Sequence, residues 1–231
     1  FGRIGRAFFK LAQYKKDEIE IVAINDLSPV DNIAYLLKYD SIYGEFSKDV
    51  GVDGFYLVIN ERKIPIYLGT NITDVEWDKL GVDVLIEASG DEDNIENVRK
   101  CMTGSVTKAI ITRGSSSSDF TMVFGVNEKE YDNNKHNVIS SSTCTGNAFS
   151  PIAKFINDRY GINNGFVSSI HPVLSNEKMM DGFNKTFQLG RATKTIKIIS
   201  SAVVHSTITV LPSLEGKLSV DAVSFRLPTD I

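Results

Sequence analysis

The sequence predicts an α/β protein with a doubly wound parallel sheet followed by a lobe built on a mixed or antiparallel sheet. Three observations carry this. In the first half of the chain β-branched runs alternate with helical patterns, and three of those runs end in a polar or glycine-containing turn. From Gly165 onward, strand-like runs follow one another without clear helices between them. The composition is that of a globular protein: 231 residues, 42% hydrophobic and 23% charged. This suits one large or two modest domains and excludes a disordered, collagen-like or coiled-coil chain.

Taken in order, Gly2-Arg3-Ile4-Gly5 opens a helix whose apolar positions are Ile4, Ala7, Phe8, Leu11 and Ala12. Glu18 to Ile24 follows as a strand ending at Asn25-Asp26, and Gly54 to Ile59 and Lys63 to Tyr67 form an excursion of two more strands. The alternation returns with Val82 to Ile86, which runs into Glu87-Ala-Ser-Gly90. A helix over Asp93 to Cys101 and a strand over Lys108 to Thr112 come next. Val138-Ile-Ser140 is one more strand, and Thr145 to Tyr160 a helix with Ala148, Phe149, Ile152, Ala153 and Ile156 as its apolar face. Pro151 should bend its first turns and Gly161 should stop it. Phe166 to Ile170, Thr207 to Leu211 and Leu218 to Phe225 are the strands of the second lobe. In a doubly wound sheet the carboxyl ends of the strands line the ligand crevice, which places Asn25-Asp26, Glu87 to Gly90 and Arg113-Gly114 on its rim.

Charge and cysteine usage narrow the function. The net charge is −4 with Lys and Arg scattered, so the basic stripe of a nucleic-acid surface is missing. No apolar run approaches the ~20 residues of a membrane span, and the loop-type Phe1-Gly2 does not read as a signal peptide. Cys101 and Cys144 are too far apart for CxxC chemistry, which favours free thiols in a reducing compartment. His136, His171 and His205 lack metal-ligand spacing, and no metal is expected.

Two constellations carry chemistry. Gly2-Arg3-Ile4-Gly5 reads as the tail of a G-x-G-x-x-G turn, whose helix-start N–H groups face a pyrophosphate. Asp26 lies about twenty residues after Gly5 at the next strand end, the offset of a carboxylate that accepts from a ribose hydroxyl. The bland alternative is a glycine-containing helix start and an ordinary turn acid. Cys144, in Ser140-Ser-Ser-Thr-Cys-Thr-Gly-Asn147, sits between a strand and a helix, where the helix dipole favours a thiolate. A lone cysteine is more often a small buried hydrophobe, but hydroxyls flank this one on both sides. His171 ends a strand from which an imidazole could pair with Cys144, as base to nucleophile; a structural histidine is the alternative.

At these residues the chain resembles the glyceraldehyde-3-phosphate dehydrogenase family. Phe1-Gly-Arg-Ile-Gly-Arg6 matches the end of the family's N-G-F-G-R-I-G-R loop, and Ala23-Ile-Asn-Asp26 its second strand end. Tyr35 to Gly44, Phe124-Gly-Val-Asn127, Ile139 to Asn147, Pro151-Ile-Ala-Lys154 and Phe225-Arg-Leu-Pro-Thr229 follow in family order. The resemblance implies a Rossmann-type NAD-binding domain over 1–143, without the family's first strand, and an α+β catalytic domain over 144–231, without roughly its last quarter. It implies NAD as cofactor, an aldose phosphate and inorganic phosphate as substrates, and a cytoplasmic homotetramer. Cys144 would be the nucleophile and His171 its base. Thr143 and Thr145 would bind the attacking phosphate, Arg226 the substrate phosphate. Gly2, Arg3, Ile4 and Gly5 would face the pyrophosphate, Asp26 the adenosine ribose, and Thr112 would stand beside the cofactor.

Departures from the family cluster at its anion sites. Leu174 replaces a phosphate-binding threonine, and the family's small S-T-G-A-A loop aligns at best with Ser200-Ser-Ala-Val-Val204. Gly146 stands for a threonine, Ser141 for an asparagine, and Thr70 for an arginine beside adenine. Three functions stay open on these residues: a phosphorylating glyceraldehyde-3-phosphate dehydrogenase, a related dehydrogenase for another sugar phosphate or an unphosphorylated aldehyde, and a catalytically weak scaffold.

Overall fold

A computed structural model describes residues 1–171, 180–183, 190, 197–198 and 202–224. They divide into two compact units: residues 1–122 with 130–141, and residues 123–129 with those from 142 onward.

The first unit begins with α1 (Arg3–Ala12), followed by β1 (Ile24–Asn25), α2 (Val30–Lys38) and a small ribbon of β2 (Tyr39–Asp40) and β3 (Gly44–Glu45). Three strands, β4 (Val50–Asp53), β5 (Tyr56–Ile59) and β6 (Arg62–Tyr67), form an antiparallel meander, and β1 joins its edge parallel to β6. The alternating burial of β6, with Ile64 and Ile66 inward, is the period of a half-buried strand. Then come β7 (Val84–Glu87), α3 (Glu92–Asn97), β8 (Lys108–Ile111), β9 (Phe120–Thr121) and β10 (Val138–Ser140). These four strands make an all-parallel sheet in the order β7-β8-β10-β9. Its core gathers Trp77, Leu85, Val98, Ile111 and Val138, while Phe9, Leu37, Leu57 and Ile64 fill that of the meander. Each such side chain contributes about 1.5–3 kcal/mol by leaving water.

Two expectations for this unit change. Of the strand expected over Glu18 to Ile24, only the last residue enters a ladder, with Ile24 opposite Ile66 and Asn25 opposite Tyr67. Residues 18–23 enter no ladder among the described residues. The apolar face of α1 is also rotated from the expected one. Gly5, Phe9 and Ala12 are buried, whereas Ile4 and Leu11 are exposed. Arg3, Arg6 and Lys10 take one side of this helix and the apolar residues spread over a broad arc of the rest; within that arc the close approach of Gly5 to Ala88, with a Cβ on Gly5 3.6 Å from that of Ala88, marks the buried edge.

The second unit contains α4 (Cys144–Tyr160), β11 (Gly165–His171), β12 (Lys197–Ile198), α5 (Val203–Val210) and β13 (Leu218–Ser224). Its sheet is mixed, ordered β11-β13-β12, with β11 parallel and β12 antiparallel to β13. Parallel neighbours need a crossover, and α5 lies on the chain between them. This corrects the strand expected over Thr207 to Leu211, and it makes Val203 and Val204 the first turn of a helix rather than part of a small loop. Val203, Ser206, Thr207 and Val210 are buried at helical spacing, so packing overrides the strand preference of a β-branched stretch. On α4 the buried face is Gly146, Ser150 and Ala153, while the expected Ala148, Ile152 and Ile156 are exposed. Small residues are inward because α5 packs against that side.

Candidate functional site

In the first unit the sequence-derived cofactor residues converge at the start of α1. Gly2 is its N-cap, and a Cβ there would lie 3.9 Å from the Ala88 carbonyl beyond the end of β7. The first N–H groups of any helix have no acceptor within it, and Arg3, Ile4 and Gly5 occupy that turn. Asp26 follows β1; its carboxylate accepts from Ser28 N at 2.7 Å. Thr112 follows β8 and donates its N–H to the Glu87 carbonyl at 3.0 Å.

Two residues that sequence reasoning left without a role brace this rim. Asn25 clasps Gly69, donating to its carbonyl at 3.0 Å and accepting its N–H at 2.8 Å, which ties the end of β1 to the turn after β6. Glu87 is 4% exposed. One of its oxygens accepts from the Ser89 N–H at 2.8 Å and from the Ser89 hydroxyl. The other has no hydrogen-bond partner among the described residues. The available signal was its position, a second carboxylate at a strand end, like Asp26.

In the second unit, Cys144 is the exposed first residue of the 17-residue helix α4. Thr143 caps that helix: its hydroxyl oxygen accepts from Gly146 N at 3.0 Å, and its carbonyl accepts from the Asn147 amide at 2.9 Å. The Thr143 hydroxyl in turn donates to Ser206 on α5 at 2.9 Å. With that proton committed, the 3.4 Å contact between Thr143 and Thr145 has Thr145 as its donor. The cap therefore fixes Cys144 at a helix start between two hydroxyls. His171 is the last residue of β11, opposite Ser224 of β13. Its side chain, Arg226, Leu174, Ser200 and Ser201 lie outside the described residues.

The family model for the glyceraldehyde 3-phosphate dehydrogenase NAD binding domain matches residues 1–94, and that for the C-terminal domain matches residues 143–231. The chain is 38% identical over 230 residues to glyceraldehyde-3-phosphate dehydrogenase of Priestia megaterium, covering 99% of this chain and 68% of the relative. It is 34% identical over 230 residues to that of Geobacillus stearothermophilus and 38% identical over 231 residues to that of Salmonella typhi, with the same shares of each chain. The chain belongs to the glyceraldehyde-3-phosphate dehydrogenase family.

As a member of this family it is an NAD-dependent dehydrogenase, and the rim of the first unit fits that cofactor. Gly2 leaves open the space in front of the helix start that a pyrophosphate needs, since no described atom lies closer than 3.9 Å to the position of its missing Cβ. The Asp26 carboxylate supplies a charged acceptor at a strand end, where a ribose hydroxyl is read in dinucleotide sites. Among the described residues no helix is long and apolar enough to cross a membrane.

Proposed function

We propose that this protein oxidises glyceraldehyde 3-phosphate to 1,3-bisphosphoglycerate with NAD and inorganic phosphate, through a thioester on Cys144. The observation that carries this reading is the exposed thiol at the capped start of α4. In the reading, the Cys144 thiolate adds to the aldehyde carbon and forms a hemithioacetal, and His171 handles the proton on the former carbonyl oxygen. Bound NAD supplies the two-electron acceptor that turns the hemithioacetal into a thioester. Gly2, Arg3, Ile4 and Gly5 hold its pyrophosphate through backbone N–H groups, Asp26 its adenosine ribose, and Thr112 stands beside it. Thr143 and Thr145 flank the thiol where inorganic phosphate attacks the thioester carbonyl and expels the cysteine. Arg226 grips the substrate phosphate with a bidentate fork. The division into a cofactor domain over 1–143 and a catalytic domain over 144–231, a homotetrameric assembly and a cytoplasmic location belong to the same proposal.

Steady-state NAD reduction with glyceraldehyde 3-phosphate, with and without inorganic phosphate, tests it. Turnover that requires phosphate and vanishes in Cys144→Ser is expected. Phosphate-independent turnover indicates a related aldehyde dehydrogenase, and none in the wild type indicates a scaffold.

A further inference from the structure

Between α4 and α5 runs a row of buried hydroxyls. Ser206 is 6% exposed, and Ser150 and Thr207 are fully buried. Thr143 donates to Ser206 at 2.9 Å, and two turns further along α4 Ser150 donates to Thr207 at 3.2 Å. The helices approach closely enough for these bonds because residue 146 is glycine. A Cβ there would stand 2.8 Å from the Cβ of Ser206 and 2.7 Å from the Ser142 hydroxyl, closer than side chains tolerate, and a tight 3.0 Å from the hydroxyl of Thr143.

The Thr143 hydroxyl has one proton and two acceptor positions. Its proton goes to Ser206, which turns a lone pair toward the Gly146 N–H and locks the side chain in the capping geometry. Without Ser206 that hydroxyl can rotate, and the cap that sets the first turn of α4, with Cys144 as its first residue, loosens. We propose that Ser206 is a positioning residue for Cys144, acting through the Thr143 cap, and that Gly146 is the residue that admits it. This rests on the reading of Cys144 as the nucleophile.

A double-mutant cycle tests the coupling, read as the rate at which iodoacetamide alkylates Cys144 at pH 7 and as kcat for NAD reduction. Ser206→Ala should lower both about threefold, the size of a helix-start effect, and Gly146→Ala should do the same by holding α5 away. Thr143→Ser, which keeps the hydroxyl, should retain more of the alkylation rate than Thr143→Val. Thr143→Val should lower both, and adding Ser206→Ala to it should lower them no further, since the serine acts through the threonine. Thr207→Val removes the deeper bond of the same interface and serves as the stability control. It should lower Tm as much as Ser206→Ala and leave the alkylation rate unchanged. Additive effects in the cycle, or an equal loss of alkylation in Thr207→Val, would overturn the proposal. Full NAD reduction by Cys144→Ser would instead overturn the assignment of the nucleophile, while the alkylation cycle still decides the role of Ser206.

Discussion

Cys101 sits in the core of the first unit, 6% exposed, with its thiol 3.5 Å from the Ile72 carbonyl, and burial raises its pKa above the usual thiol value. Cys144 is exposed at a helix start between two threonines. Alkylation needs both access and thiolate, and Cys101 lacks each of them. Iodoacetamide at pH 7 should therefore label Cys144 at least ~10-fold faster than Cys101 in the folded protein. Peptide mapping by mass spectrometry checks this, and equal rates would remove Cys144 as the reactive thiol. The sequence already separated the two thiols, because hydroxyl neighbours and a strand-to-helix junction marked one of them. It could not show that the cap of the second depends on Ser206, which lies far along the chain, just before the strand expected from Thr207.

The same contrast holds for the elements. Strands β8 and β10 and helix α4 stand within a residue or two of their expected places, because β-branched runs, a capping threonine and a terminating glycine are local signals. On both α1 and α4 the apolar residues spread wider than the strip that a neighbour buries, so spacing alone does not fix the buried face. Helix α5 was misread because Val203 to Val210 has the composition of a strand and becomes helical as the crossover between parallel β11 and β13. Among elements, the edge of the parallel sheet offers a test of its own. Asp119, just before β9, accepts from the N–H groups of Asn137 and Val138 at 2.9 and 2.8 Å and pairs with Arg99 at 2.6 Å. Burial opposes the charged form, but the Arg99 and backbone hydrogen bonds prevail and lower its pKa from 3.8 to about 2. A carboxylate with a depressed folded-state pKa stabilises above its unfolded value and loses that contribution as pH falls through the folded one. Hydrogen exchange at the Val138 amide, compared with that of Asp119→Asn, should show protection holding above pH 4 and fading toward pH 2 in the wild type. The asparagine variant should be less protected at neutral pH and show a smaller change across that range. Identical acid profiles would contradict the role given to Asp119.

At the scale of the molecule, the question is whether overall charge or one carboxylate sets the choice between NAD and NADP. The chain carries a net charge of −4, which opposes any dinucleotide. Exposed charges more than ~8 Å from the ligand are largely screened at physiological ionic strength, so this general field separates the two cofactors little. Asp26 is different. It stands at the strand end on the rim, where it accepts from the Ser28 N–H at 2.7 Å. A ribose hydroxyl can donate to that carboxylate, whereas a 2′-phosphate cannot and is repelled. Titration calorimetry should accordingly give NAD at least ~10-fold tighter binding than NADP, a difference of roughly 1.4 kcal/mol. Asp26→Asn keeps an acceptor for the Ser28 N–H and for the ribose but removes the charge. It should weaken NAD modestly, strengthen NADP, and bring the two affinities close together. If the variant keeps the full preference for NAD, the discrimination resides in shape elsewhere on the rim and not in the carboxylate of Asp26.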